Sequence, residues 1–332
     1  MLPSEAGVGY RSPMSASPHR FGIVGILGRP NVGKSTLLNG VLGQKLAIAT
    51  PKPQTTRDRI KGIRTFEDWQ VVWVDTPGLH EAETKLNRYM VELAIGTVSE
   101  VDLCYVLVDA PKALESAARS APQSPEAEPP RADKVLEETK AILAHVAAAR
   151  KKAFLVLNKI DKLADKTRLL AVIERYAPLY DFTEVVPVSA QKGTNIDRLL
   201  AATREQLPEG QPLFAADELT DRPMRFIAKE IIREQLFLHL GQELPSSVAV
   251  DVLSWEEKGD GLVVVHANVH VARKSHKPIV VGRGGQQIKA IGEKSRMIME
   301  RLLERKVYLD LRVKVDEGWT DRDDKLKALG YD

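Results

Sequence analysis

The sequence predicts an α/β protein in which a doubly wound, mostly parallel sheet is followed by a smaller α+β unit. Three observations carry that expectation. The apolar run at 21–27 ends in Gly28-Arg29-Pro30-Asn31-Val32-Gly33-Lys34-Ser35, and leucines at helical spacing follow over 36–42, giving strand, glycine-rich turn and helix in succession. Short apolar runs at 70–74, 101–108, 153–157 and 185–188 then alternate with helical stretches such as 135–149 and 167–176. Beyond the proline-bearing stretch 207–212 the rhythm changes to a helix, two alternating strands, two helical segments around Gly282-Arg283-Gly284-Gly285, and a closing strand.

Each element has its own signal. The segment 47–58 holds two prolines and adjacent threonines that break helical periodicity, so it is expected to be an exposed, mobile loop. Residues 60–66 alternate and pair with 70–74, and 83–97 is a helix candidate after Asp75-Thr76-Pro77-Gly78. In the second unit, apolar positions from Phe226 to Leu240 fall at helical spacing and Gly241 stops them. Residues 248–255 and 262–272 alternate as strands joined by Lys258-Gly259-Asp260-Gly261; 286–304 is a helix and 307–315 a third strand.

The chain of 332 residues is long enough for two domains, and 43% hydrophobic with 28% charged residues excludes a wholly disordered polymer. The expected division is a disordered tail at 1–20, a first domain at 21–207, a linker at 208–222 and a second domain at 223–332. The tail is rich in Pro, Ser and Gly and lacks the apolar segment of a signal peptide. Residues 111–131 contain too few apolar side chains to offset the entropy of ordering them, so a disordered surface insertion acting as a plain spacer is expected. No apolar run reaches the roughly 18 to 20 residues of a membrane span. Cys104, the single cysteine, lies in the run 101–108 as a small buried side chain, which fits a reducing cytoplasm. The net charge is only +3, yet 273–314 holds twelve Lys and Arg against four Asp and Glu, which points to a polyanionic partner.

Gly28 to Ser35 fits G-x-x-x-x-G-K-[ST] without mismatch. Glycines let main-chain N–H groups close around phosphate oxygens, the helix N-terminus from Thr36 adds partial positive charge, Lys34 reaches the outer phosphates and Ser35 offers a hydroxyl to Mg²⁺. The base is read elsewhere. At the end of the strand 153–157, Asn158-Lys159-Ile160-Asp161 places a carboxylate where Asp161 accepts from both the ring N–H and the exocyclic amine of guanine, a donor pair that adenine lacks. Asn158 and Lys159 hold the pocket and pack beside the base, and Ser189-Ala190 suits the backbone contact to the guanine oxygen. Asp75 reaches Mg²⁺ through water, while the Gly78 N–H meets the terminal phosphate. Thr56, in preference to Thr55, closes on Mg²⁺ in the triphosphate state. The expected ligands are therefore GTP or GDP with Mg²⁺ held by Ser35, Thr56 and Asp75, and Lys34, Thr56 and Gly78 are the residues expected at the reacting phosphate.

Gly282-Arg283-Gly284-Gly285 fits the GXXG loop of a KH module, and the surrounding element order is that of type II. Small residues let a nucleic-acid backbone approach. Arg273, Lys274, Lys277, Arg283 and Lys289 bracket the loop to meet phosphates, and Ile279, Val280 and Ile288 are expected to line an apolar groove for splayed bases.

These motifs in this order resemble the Era group of translation-factor-like GTPases. The similarity runs from Phe21 to Trp319 and includes Pro53-Gln54-Thr55-Thr56-Arg57, Ile231-Ile232-Arg233-Glu234 and Glu243-Leu244-Pro245. The departures are the tail and 111–131, which is longer than the family pattern. The resemblance implies a P-loop GTPase domain joined to a type II KH domain. Its implied partners are small-subunit ribosomal RNA near the 3′ end and the 30S subunit, with a role in subunit maturation and no DNA partner. It implies a cytoplasmic protein, monomeric, with peripheral contact at the inner face of the membrane left open. It also suggests that Asn31 helps hold a monovalent cation, K⁺, beside the phosphates, where a loop asparagine with local hydrogen bonds is the alternative. Where many regulatory GTPases carry a water-orienting glutamine after the glycine of this motif, this chain has Leu79, so intrinsic hydrolysis is expected to be slow. A non-catalytic RNA scaffold that keeps GTP as a structural ligand, and a switch on anionic lipid, are the competing readings.

Overall fold

The computed structural model describes residues 19–50, 52, 54–79, 84–120, 133–241, 244 and 247–331. The N-terminal segment 1–18 lies outside the described residues. His19 and Arg20 do not: the Arg20 amide bonds the Asp68 carbonyl, and Arg20 opens the first strand.

A six-stranded sheet forms the first domain. Its strands are β1 (Arg20–Gly28), β2 (Ile60–Thr65), β3 (Trp69–Asp75), β4 (Leu103–Asp109), β5 (Lys152–Asn158) and β6 (Glu184–Pro187), in the order β2-β3-β1-β4-β5-β6. Only β2 runs antiparallel. β3 and β4 are buried along their whole length, as a strand covered by helices on both faces must be. The covering helices are α1 (Lys34–Leu42), α2 (Lys85–Glu100), α3 (Ala110–Ser120), α4 (Lys134–Ala148), α5 (Leu169–Tyr176) and α6 (Ile196–Gln206). Thr84 caps α2 by accepting from the Asn87 amide at 3.2 Å.

The expected insertion at 111–131 divides in two. Residues 110–120 are α3, with Ala110 and Ala113 buried in the core beside Val108 and Tyr176, and 121–131 lie outside the described residues. Pro111 misleads here because it sits in the first helical turn, where its missing N–H would have no partner anyway.

The linker 208–222 has no helix or strand but is tied down along its path. Gln70, fully buried, accepts from the amides of Leu213 (2.8 Å) and Phe214 (3.0 Å), and the Ile63 amide donates to the Leu219 carbonyl at 2.8 Å.

The second domain is α7 (Met224–His239), β7 (Val248–Glu257), β8 (Val263–Val271), α8 (His276–Val281), a glycine turn, α9 (Gln286–Leu303), β9 (Val307–Val315) and α10 (Asp323–Ala328). β8 pairs antiparallel with β7 and parallel with β9. Alternate residues Val263, Val265, Ala267, Val269 and Val271 face α7 and α9 across a core that includes Ile232, Leu236 and Ile291. Val280 is part of that core, not of a groove: with α8 lying on the sheet, its side chain is fully covered. The opposite sheet face is closed by Trp319, Leu326, Leu329 and Tyr331, which pack on Leu86 and Met90 of α2. That cluster joins the two domains.

A second junction corrects the expectation of an exposed loop at 47–58. Thr55, Thr56, Arg57 and Asp58 are buried, because the segment lies against α7. Arg57 donates to the Val248 carbonyl at 2.7 Å and lies over the rings of Phe237 (5.8 Å) and Trp319 (5.6 Å). Lys229 reaches Asp58 at 3.7 Å, Lys45 pairs with Glu234 at 2.6 Å, and Lys52 donates to the carbonyls of Phe237 and Leu240.

Candidate nucleotide site and RNA interface

The turn between β1 and α1 is packed closely by its neighbours. Gly33 is left-handed at φ 100° and a Cβ there would collide with the Asn158 amide. Gly78 lies over the turn from the other side, so a Cβ there would sit 2.7 Å from the Pro30 nitrogen. Lys34 is buried and its ammonium donates to the carbonyls of Gly28 (3.1 Å) and Arg29 (3.0 Å). Burial pushes the Lys34 pKa down to about 8, against the attraction of Asp75. The Arg29 side chain turns away to pair with Glu138 on α4, which leaves its main chain to the turn.

Asp75, Ser35 and Thr56 meet. Ser35 Oγ donates to Asp75 Oδ2 at 2.6 Å, Thr56 Oγ1 to the same oxygen at 3.1 Å, and the two hydroxyls are 2.9 Å apart. Asp75 is fully buried and desolvation raises its pKa, with Lys34 and the two hydroxyls opposing. This is a donor set of one carboxylate and two hydroxyls beside a phosphate-binding turn, the hard-oxygen chemistry that suits Mg²⁺. Thr76 Oγ1 donates to the Ile26 carbonyl at 2.7 Å, Pro77 is buried, and the Leu79 amide donates to the Gly28 carbonyl at 3.3 Å. These bonds lock the end of β3 onto β1.

The segment Asn158 to Asp161, expected to read the base, is stitched to the same turn. Asn158 donates to the Val32 carbonyl at 2.9 Å, and its Oδ1 accepts from the amides of Lys159 (2.8 Å) and Ala190 (3.0 Å). Lys159, left-handed at φ 66°, donates to the Asn31 carbonyl at 2.5 Å and to Asp109 at 2.6 Å. Ser189 Oγ donates to Asp161 Oδ1 at 2.5 Å, and the Ile160 amide bonds the Val188 carbonyl at 3.3 Å. Thr36 and Asn31 line the phosphate pocket itself. Asp109 was not singled out from sequence. Its signal was a carboxylate ending an otherwise apolar strand.

On the second domain the turn Gly282 to Gly285 projects between α8 and α9. Gly282, Gly284 and Gly285 have positive φ of 75°, 57° and 79°, and a Cβ on Gly284 or Gly285 would meet nothing within 4 Å, so a backbone can approach them. Arg273, Lys274, Lys277, Arg283 and Lys289 are all exposed around it. A groove of about 430 Å³ runs between α9 and β9, lined by Ile288, Lys289, Gly292, Tyr308, Leu309 and Leu311. Ile288 thus lies where expected, Ile279 is exposed, and the remaining apolar lining comes from β9, which the sequence did not connect to the loop.

Residues 23–159 match the family of 50S ribosome-binding GTPases and residues 243–320 match the KH domain. The chain is 46% identical to GTPase Era of Trichlorobacter lovleyi over 96% of its own length and 100% of that protein. It is 42% identical to GTPase Era of Ruminiclostridium cellulolyticum, over 94% and 98%. The chain belongs to the Era family of GTPases. Two solved Era structures superpose with a TM-score of 0.84 at 34% identity, covering 94% of this chain and 99% of theirs. One is a variant from Aquifex aeolicus bound to GDP and AlF₄⁻; the other holds MgGDPNP and nucleotides 1506–1542 of 16S ribosomal RNA. As an Era-type protein the chain is a GTPase with a C-terminal KH domain, and the doubly wound sheet followed by an α+β unit is the fold of that family. Among the described residues no helix is long and apolar enough to cross a membrane.

Proposed function

We propose that this chain is a GTP-controlled RNA-binding protein that engages small-subunit ribosomal RNA near its 3′ end and acts in assembly of the 30S subunit. Lys34, the turn from Gly28 to Thr36, and Gly78 hold the phosphates; Ser35, Thr56 and Asp75 hold Mg²⁺; and Asn158 to Asp161 with Ser189 and Ala190 read guanine. Asn31, which lines the phosphate pocket, would hold a monovalent cation, K⁺, beside the phosphates. The exposed loop from Gly282 to Gly285 and its basic neighbours take the RNA backbone, with the groove along Ile288, Leu309 and Leu311 receiving bases.

One observation carries the control. Thr56, bonded to Asp75, is followed directly by Arg57, whose guanidinium is buried between α7, β7 and Trp319 of the second domain. A change at Mg²⁺ that moves Thr56 therefore acts one residue away from a side chain set in the RNA-binding domain. A second path supports it: Lys52 grips the carbonyls that end α7, and Gln287, just after the glycine loop, donates to the His239 carbonyl there at 2.7 Å.

The same reading makes the protein a cytoplasmic monomer without a DNA partner. Contact with the inner membrane face would draw on the basic charge of the second domain alone, and flotation with anionic vesicles in the presence of competing RNA separates that role from RNA binding. For the RNA, ultraviolet crosslinking in cells followed by sequencing is the direct test. Reads are expected to pile up at the 3′ end of small-subunit RNA; an even spread over messenger RNA would sink the assignment.

A further inference from the structure

One carboxylate of the first domain lies beside the nucleotide site with no part assigned to it. Asp109 ends β4, and the register of the sheet sets it directly opposite Asn158 at the end of β5. It is 4% exposed, so its charge needs a partner. Lys159 supplies one: the ammonium donates to Asp109 Oδ2 at 2.6 Å, and among the described residues no other carboxylate pairs with it. The second oxygen, Oδ1, accepts from the Lys112 amide at 3.2 Å in the first turn of α3.

A buried negative charge next to a phosphate-binding turn would by itself repel a nucleotide. What it does to Lys159 outweighs that. The lysine leaves the chain at a left-handed residue, φ 66°, and its ammonium is gripped at two points, by Asp109 and by the Asn31 carbonyl of the turn at 2.5 Å. Held so, the side chain crosses over the turn, and its Cε lies 3.9 Å from where a Cβ on Gly33 would be. A stem pinned before the ligand arrives loses little rotamer freedom on binding, whereas a free one loses it at that moment.

We propose that Asp109 is a positioning residue of this site, fixing the Lys159 ammonium so that the apolar stem forms a preset platform against one face of the guanine ring. The inference rests on the guanine-nucleotide reading proposed above. A platform meets the ring face and not its hydrogen-bonding edge, so Asp109 raises affinity for the base without choosing it. The choice is left to Asp161.

The full-length parent, Asp109→Asn, Lys159→Met and the double variant are compared for affinity toward GDP, toward a non-hydrolysable GTP analogue with Mg²⁺, and toward inosine diphosphate, which lacks the exocyclic amine. Asparagine keeps the size of Asp109 but turns one of its two acceptors into a donor. Asp109→Asn is expected to weaken all three ligands by one common factor of about tenfold or more, the scale of a lost hydrogen bond to a charged group. In the Lys159→Met background the same change should cost nothing further, and the double variant should bind at least as tightly as Lys159→Met, because methionine leaves Asp109 buried without a counter-charge. Unchanged affinity in Asp109→Asn would overturn the proposal. So would an equal loss from Asp109→Asn with and without Lys159, which marks a carboxylate that only caps α3, and so would a loss seen with GDP but absent with inosine diphosphate, which places the effect on the base edge. Parent protein that binds neither GDP nor the analogue would refute the nucleotide site itself.

Discussion

The two ligand sites of this chain are built in opposite ways. In the nucleotide site the functional side chains are buried and bonded to one another: Asp75 and Ser189 are 0% exposed, Asn158 1%, Lys34 and Thr56 6%. Around the glycine loop of the second domain, Arg273, Lys274, Lys277, Arg283 and Lys289 stand in solvent with few protein partners among the described residues. The difference follows from the task. Bond breaking needs dipoles fixed before the reaction begins, since reorganising them would add to the barrier. Holding a flexible polyanion needs charge and room, and long exposed side chains supply both at little folding cost. Removing one group should therefore damage the first site steeply and the second gradually.

The steepest effect is expected at the nucleotide. Lys34→Ala removes a buried ammonium from the phosphates, and truncating one partner of a buried charged pair costs about 2 to 5 kcal/mol, roughly 30- to 4,000-fold in affinity. Titration of Mg-GTP with circular dichroism as a fold control checks this, and unchanged affinity would remove Lys34 from the site. Asp161→Asn presents a donor to the donors of guanine; GTP affinity should fall by a similar factor while xanthosine triphosphate gains. Next comes Gly284→Asp, which puts a side chain and a negative charge where the RNA backbone must pass. RNA affinity should fall about tenfold or more, a loss of at least about 1.4 kcal/mol, with GTP affinity intact. Smallest is Lys289→Ala. It should weaken RNA binding alike for all sequences and reduce the slope of log affinity against log salt by about 1. A loss at Lys289 as steep as at Lys34 would erase the contrast between the sites.

Most of the nucleotide site was legible because its residues lie in short contiguous motifs whose spacing is imposed by the phosphate and the base. Gly28 to Ser35, Asp75 to Gly78 and Asn158 to Asp161 are such runs, and the sheet brings their strand ends together. The burial of Arg57 was not legible. Its partners Val248, Phe237 and Trp319 lie in another domain, and a threonine and arginine after prolines read locally as a surface loop. Val280 was misplaced for the related reason that a single apolar residue near a binding loop gives no sign of which face it turns to. Residues 323–328 make too short a helix for periodicity to show, yet Leu326 closes the junction with α2. In each case what was missing is tertiary and long-range; what was visible is local chemistry.

If the buried Arg57 makes the two unlike sites one device, RNA affinity measured at one fixed salt concentration must differ between the GDP and the GTP-analogue states. The expected difference is about 5- to 150-fold, a coupling of roughly 1 to 3 kcal/mol, with RNA shifting analogue affinity relative to GDP by the same factor. In Arg57→Ala that difference should shrink toward unity while the parent fold and both ligands remain. Equal RNA affinity in the two nucleotide states of the parent protein would show that Arg57 does not couple the sites, even with both sites occupied.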